Sequence, residues 1–310
     1  VIAAVEGSVN LIDTAINYRF QRSERSIGSA LRRLVSRGFG REELVVCTKA
    51  GFLTPDGEMP DDINEYFAEE FLSSGIFAPE DIAADCHCMK PSYLADQIER
   101  SRRNLGVECI DVFYLHNPET QLAEVSPEKF RARIRDAFAF LESAVAEGKI
   151  AYYGLATWTA FREKSGSKSL LSIEDMINIA RDAGGDGHHF RFVQLPFNLA
   201  MPDAITNPNQ VVAGKTLGMV QAARPLGLTL IASAALLQGQ LTRNLPAEVQ
   251  DVFQLKTDAE CAVQFVRSAP GIATALVGMS SPEHVTENLS LVAVEPVPRD
   301  QFLRLFGHKG

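Results

Sequence analysis

Seven short apolar runs, each leading into a longer segment with helical spacing, constrain this chain more than any other feature. The runs occupy residues 9–13, 44–49, 110–116, 150–155, 192–195, 228–233 and 274–278. They carry few charges, as strands buried on both faces do. The segments 23–37, 92–105, 127–147, 172–183, 214–224, 258–268 and 282–291 between and after them read as helices. In 92–105, Leu94, Ile98 and Leu105 share one face, with Ser92 as the expected cap. Ser126 followed by Pro127 is a cap with proline at the first helical position. Gly38, Gly106, Gly148 and Gly227 stand where helices should stop. Strand–helix alternation implies right-handed βαβ units and a parallel sheet. The regular solution is an α/β fold, a closed (β/α)₈ TIM barrel, expected as one domain over residues 1–310. No GxGxxG turn follows an early strand, which disfavours the open dinucleotide-binding sheet.

The ring is one strand short of eight. Residues 1–6 read as the end of a helix feeding the run at 9–13, so a first strand is expected to precede Val1 and the natural start is expected to be missing. A barrel lacking one strand exposes two unpaired edges. Two connections, 50–91 and 157–171, are long, and long loops in such barrels are expected as lids near the active site.

Charge and cysteine usage narrow the partners. A formal net charge of −9, with no clustered Lys and Arg, argues against nucleic acid. Five scattered cysteines do not form a disulfide framework. Asp85-Cys86-His87-Cys88 reads as a loop with two thiols, because no second pair supplies the remaining ligands of a tetrahedral metal. No stretch approaches the ~20 apolar residues of a membrane span. The reading is a cytoplasmic protein with no membrane or nucleic-acid partner and an oligomeric state left open.

Active sites of such barrels lie at the carboxyl ends of the strands. Asp13 ends the first run, Lys49 the second and His116 the third; Tyr18 follows on the loop after Asp13, and Gln194 lies near a later strand end. Each alone has an ordinary structural explanation: a turn carboxylate, a solvated amine, a packed ring. Together on one rim they form a proton relay. Reducing a carbonyl needs hydride at carbon and a proton at oxygen. A phenol holds its proton up to about pH 10, and an adjacent ammonium favours the phenolate. Lys49 can supply that charge, Asp13 can keep Lys49 protonated, and His116 can hydrogen-bond the substrate oxygen. Tyr18 would then be a general acid usable near neutral pH.

Asp13-Thr14-Ala15-x-x-Tyr18, followed by Ser23-Glu24-x-x-Ile27-Gly28, resembles the opening motif of the aldo-keto reductases. Thr48-Lys49, Asp111-x-x-x-x-His116 and Gly148-Lys149-Ile150-x-x-x-Gly154 continue the resemblance in order. Gln194-x-Pro196-x-Asn198 is similar to the motif that places a glutamine under the nicotinamide amide. Leu236-x-x-Gly239-x-Leu241 resembles the pyrophosphate loop, and Gly278-x-Ser280 through Glu287-Asn288 the adenosine-binding end. The resemblance implies NAD(P)H-dependent reduction of an aldehyde or ketone, or the reverse oxidation, without a metal. It makes the Tyr18 position the acid, with Asp13, Lys49 and His116 in support.

Departures from the pattern fall on the cofactor side. Many relatives carry Ser-Asn where this chain has Ala156-Thr157, so only Thr157 can bind the carboxamide through its side chain. Ser233 replaces an aromatic that stacks on the nicotinamide, and Trp158 is expected in the loop or the substrate pocket. Gly278, Met279 and His284 stand where NADPH-preferring relatives place Lys or Arg, so the cofactor is left as NADP or NAD. Ser280 and the helix start beside it could still bind phosphate through backbone N–H groups. Phe52, Tyr66, Phe67 and Phe71 wall the substrate pocket or form a loop core of their own. His188-His189 reads as solvated. Two other functions compete: a cofactor-binding regulatory or redox-sensing protein with little turnover, and a Schiff-base aldolase using Lys49.

Overall fold

The computed structural model describes residues 1–307. The seven apolar runs form one sheet: β1 (Leu11–Asp13), β2 (Val45–Ala50), β3 (Ile110–His116), β4 (Ile150–Ala156), β5 (Phe190–Pro196), β6 (Thr229–Ser233) and β7 (Ile272–Ala275). All are parallel and pair in chain order. The sheet is strongly curled. Asp13 on β1 and Gln194 on β5 are four strands apart in pairing order, about 19 Å if the sheet were flat. Their side chains nevertheless hydrogen-bond at 2.8 Å. Among the described residues there are seven strands in this sheet, with β1 and β7 at its edges; the eighth strand of the expected closed ring is not among them. On the outside, the first helix α1 (Ile2–Glu6) leads to Gly7, which lies against Leu289 at the end of the helix Pro282–Leu289. The helical layer therefore meets itself beside the open strand edges.

The helices bury the faces that their spacing defines. α2 (Arg22–Ser36) buries Ile27, Leu31 and Leu34, and α3 (Pro91–Leu105) buries Leu94, Ile98 and Leu105. Each such side chain contributes roughly 1.5–3 kcal/mol on leaving water. Gly28 lets the two helices touch, because a Cβ there would strike the Asn104 carbonyl. α4 (Pro127–Ala146) starts as expected, with Ser126 Oγ accepting the Lys129 N–H at 3.2 Å.

Three expectations need correction. Ser92 is not a cap: proline occupies the first helical position at Pro91, Lys90 is the N-cap, and the Ser92 hydroxyl instead donates to the Ile76 carbonyl. The helix expected over 214–224 shrinks to Met219–Ala223. Before it, Pro208–Val212 and Lys215–Gly218 form an antiparallel hairpin across Ala213 and Gly214, both at positive φ. β-branched residues flank a two-residue turn there, and local hairpin geometry outweighs the helical spacing. The His188-His189 pair is not simply solvated: His188 is buried, and His189 Nδ1 pairs with Glu142 Oε2 at 2.7 Å.

The 50–91 connection has structure of its own. Asp62 caps a short helix, Ile63–Phe67, through the N–H groups of Asn64 and Glu65. A small hairpin pairs Ile82–Ala83 with His87–Cys88. Phe71, Phe77, Cys88 and Tyr93 form a separate apolar cluster, with Phe67 packed against it. Phe67 and Phe71 thus belong to a loop core, Phe52 reaches the barrel mouth, and the Tyr66 hydroxyl accepts the Asp56 N–H at 3.2 Å.

Candidate active site

Strand alternation places Asp13, Lys49, His116 and Gln194 at one end of the barrel. The register pairs His116 with Ala156 and Ala156 with Gln194, so these three share a layer. Lys49 is 1% exposed; its Nζ donates to Asp13 Oδ2 at 2.6 Å and to the Thr14 carbonyl at 2.7 Å. The other carboxylate oxygen, Asp13 Oδ1, accepts from Gln194 Nε2 at 2.8 Å. Burial alone would push the Lys49 ammonium toward the neutral amine. The Asp13 carboxylate, the Tyr18 phenol and the hydrogen bond to Asp13 together outweigh burial and hold Lys49 protonated above its ordinary range.

Tyr18 stands on the turn that follows β1. The turn is tied down by the Ile16 N–H on the Lys49 carbonyl and by Thr14 Oγ1 on Ser23 Oγ. Arg19, Phe20 and Gln21 all have positive φ, a sparsely populated conformation for such residues. The strain accompanies a sharp reversal that leaves the Tyr18 ring 40% exposed, with its centre 5.1 Å from Lys49 Nζ. Its ring meets that of His116 edge to face at 5.8 Å. His116 is almost fully buried. Burial first, then the charge of Lys49 and the proximity of His87, depress its pKa to about 3, so the ring is neutral. Its Nδ1 is buried with no hydrogen-bond partner. A proton there would be an unpaired buried donor, so the neutral ring carries its proton on Nε2.

Three further residues belong to this mouth and were not assigned to it from sequence. His87 is completely buried, and its Nε2 donates to the His116 carbonyl at 2.7 Å. Gln121 supports that ring through Nδ1 at 3.1 Å. Glu119 Oε1 accepts the backbone N–H groups of Trp158 and Thr159 at 2.6 and 3.0 Å, fixing the loop after β4. Position close after His116 was the available signal for Glu119 and Gln121; His87 stood out only within the Asp85-Cys86-His87-Cys88 cluster, which reads as a plain loop. Phe52 lies edge-on to both His87 and His116, each at 5.1 Å. Trp158 is 43% exposed at the same mouth.

The residues expected on the cofactor side are arranged differently. The Thr157 hydroxyl lies 3.4 Å from the Gln194 carbonyl, and the Gln194 amide is engaged by Asp13. Ser233 ends β6. Leu236, Gly239 and Leu241 form a tight turn in which the Leu236 carbonyl accepts from the N–H groups of both Gly239 and Leu241. Gly278 and Ser280 are exposed, and Ser280 Oγ lies 3.2 Å from Nδ1 of exposed His284. Glu287 accepts from Thr257 Oγ1 at 2.9 Å, and Asn288 is half-buried beside it on the same helix. A cleft of ≈ 860 Å³ opens beside Leu241, lined also by Arg243, Phe265 and Arg304; Asp13, Tyr18, Lys49 and His116 take no part in its lining. Among the described residues no helix is long and apolar enough to cross a membrane, and no three or more His, Cys, Asp or Glu gather as metal ligands.

A model described as the aldo/keto reductase family matches residues 1–308. The chain is 25% identical to a D-threo-aldose 1-dehydrogenase of a Pseudomonas species, over 94% of this chain and 82% of that protein. It is 23% identical to a putative voltage-gated potassium channel subunit beta of Schizosaccharomyces pombe, over 92% of this chain and 75% of that one. An aldo/keto reductase of Klebsiella pneumoniae, solved with NADP and acetate, superimposes with a TM-score of 0.63 at 18% identity, covering 98% of this chain and 81% of that chain.

Proposed function

Because this chain belongs to the aldo/keto reductase family and is with it an NAD(P)-dependent oxidoreductase, we propose that it reduces a small aldehyde or ketone to an alcohol, or runs the reverse oxidation, with Tyr18 as the general acid. The observation that carries this reading is the buried Lys49–Asp13 pair with the Tyr18 ring 5.1 Å from the ammonium.

The nicotinamide group supplies or accepts the hydride when bound. Every other task falls to side chains of this chain. Lys49, kept charged by Asp13, faces the Tyr18 ring and favours its negative form as the proton leaves. Tyr18 gives its proton to the carbonyl oxygen, and His116 Nε2–H donates a hydrogen bond to the same oxygen. Phe52 and Trp158 flank the substrate and reduce its contact with water. In the alcohol-oxidising direction Tyr18 takes the proton back.

The cofactor is NADP or NAD. The distal half of the site suits the group: the turn at Leu236–Leu241, exposed Gly278 and Ser280, and the capped start of the helix Pro282–Leu289 leave room for phosphates and ribose. The nicotinamide end fits less simply, because Gln194 and Thr157 already have protein partners. Holding the carboxamide there requires the Gln194 amide to turn away from Asp13.

Turnover of a reactive aldehyde by the parent and by Tyr18→Phe tests the reading. An unchanged rate in the variant removes Tyr18 from the mechanism. A second reading, a cofactor-binding regulatory protein with little turnover, draws on those engaged carboxamide-side groups. It predicts tight nicotinamide binding with no measurable reduction of any aldehyde. A Schiff-base role for Lys49 is disfavoured, because a nucleophilic amine must be neutral and Asp13 holds this one charged; borohydride in the presence of a carbonyl compound should trap no adduct.

A further inference from the structure

His87 is a buried imidazole that the proposed reaction does not use. It lies at the end of the 50–91 connection, on the hairpin strand that bridges antiparallel to Phe52. There the Cys88 N–H binds the Gly51 carbonyl at 2.8 Å and the Leu53 N–H binds the Cys86 carbonyl at 2.7 Å. The hairpin is thus stitched to the chain leaving β2. The imidazole passes across this stitch to the last residue of β3. A carbonyl only accepts, so the 2.7 Å contact with the His116 oxygen puts the His87 proton on Nε2. Nδ1 then accepts from Gln121 Nε2, and Gln121 Oε1 accepts from Arg133 Nη1 at 2.6 Å. The ring is held at both nitrogens in one neutral tautomer.

The place is built for this contact. β2 and β3 pair as far as Ala50 and Leu115. Beyond them the chain turns at Gly51, and the His116 carbonyl takes the His87 side chain as its partner. A Cβ at Gly51 would fall 2.6 Å from His87 Nε2 and 2.8 Å from the His116 oxygen, so the contact needs glycine there. Phe52 packs edge-on against both imidazoles at 5.1 Å. The same planar peptide unit is held from its other side by the Asn117 N–H on the Ala156 carbonyl at 2.6 Å, so His87 completes a two-sided clamp before the chain turns left-handed at Asn117, φ 47°.

We propose that His87 is a positioning residue for His116: with the β4 strand on the other side it anchors the His116 backbone, it packs the Phe52 wall, and through it the fold of residues 50–91 helps set where the substrate oxygen is hydrogen-bonded. This rests on the reading of His116 given above.

The test uses the full-length protein with His87→Leu, His87→Gln and His87→Asn. Glutamine can place an amide donor where the imidazole Nε2 stands; asparagine is too short to reach. Three quantities are measured: NADPH affinity by nicotinamide fluorescence, kcat and KM for a reactive aldehyde, and the ¹⁵N signals of the His116 ring. A displacement of about 1 Å in a reacting group costs up to ~10²-fold in rate. The Leu and Asn variants should therefore lose about tenfold or more in kcat with NADPH affinity unchanged, while Gln recovers most of the rate. The His116 ring should show one neutral tautomer in the parent and the Gln variant, and averaged signals in the other two. Parental kcat in a folded Leu variant overturns the proposal. So does equal kcat in the Asn and Gln variants, which decides the matter even if Leu prevents folding. A parent that binds NADPH but turns over no aldehyde would sink the proposed reaction instead, and the His116 signals would still judge the brace.

Discussion

The two halves of the barrel mouth are built on different principles. On the β1–β3 side, Lys49 and His116 are buried and Asp13 largely so; Asp13 and Lys49 are tied to each other, to Gln194 and to the Thr14 carbonyl, and the His116 backbone to His87, all at 2.6–2.8 Å. On the side after β6 and β7, Gly239, Gly278, Ser280 and His284 are exposed, and Ser280 and His284 contact mainly each other. A proton relay works only if charges and donors are in place before the substrate arrives, because reorganising them during the reaction would raise the barrier. A long, charged ligand can instead be wrapped by an open surface that it completes on binding. Thr157 and Gln194 sit at the seam: the Gln194 amide bonds Asp13 of the first half, and the Thr157 hydroxyl meets the Gln194 backbone carbonyl.

Substitutions on the two sides should therefore fail in different ways. The largest effect is expected for Tyr18→Phe, which should lower kcat by about 10²–10⁴-fold, the range of a lost general acid. NADPH affinity by fluorescence titration should stay at the parental value; a matching loss of affinity would mean that the two halves are not separable.

Next comes Lys49→Met. It leaves the largely buried Asp13 carboxylate beside Gln194 without a counter-charge. Removing one partner of a buried pair costs about 3–5 kcal/mol, so denaturant unfolding should show a loss of that order together with the loss of activity. Parental stability in this variant would place Asp13 in a much wetter setting than its hydrogen bonds suggest.

Acid should strike the same half. Burial is the first cause holding His87 to about 4 and His116 to about 3, against 6.5 for a free imidazole. Below pH 6.5 the unfolded chain takes up protons that the fold refuses. The stability from these two neutral rings is thus complete above that pH and is lost progressively as the pH falls toward 4 and then 3. Unfolding free energies across that window should decline. In His87→Gln the decline should be shallower, and an identical slope would remove His87 from the account.

The smallest effects belong to the open half. His284→Arg should raise NADPH affinity relative to NADH by about tenfold, the value of a charge-assisted contact of ~1.4 kcal/mol, with the melting temperature unchanged. Ser233→Phe should tighten either cofactor a few-fold through ring stacking of about 0.5–1.5 kcal/mol. A fall in kcat from either change would show that the halves communicate.

Much of the fold was readable in the order of residues. Six of the seven expected helices form near their anticipated bounds, and all seven runs become parallel strands. The hairpin 208–218 was not readable, because its apolar spacing also suits a helix and only the positive φ pair at Ala213-Gly214 decides otherwise. In the candidate site, Asp13, Tyr18, Lys49 and His116 could be gathered because each lies at or just beyond a strand end. Glu119 and Gln121 lie just past one and went unnoticed, because a glutamate or glutamine in a loop ordinarily faces solvent.

Local pattern by itself determined the strand–helix repeat, the parallel sheet and the rim on which the proton-handling residues stand, since periodicity and strand ends are properties of short segments. Only the tertiary structure decided that Gln194 bonds Asp13 across the barrel, that Phe67 and Phe71 leave the mouth for a core of their own, and that His87 reaches His116. The Gln194–Asp13 and His87–His116 contacts join residues 181 and 29 positions apart in the chain. They depend on how the sheet curls and where a long connection folds back, and no short segment carries that information.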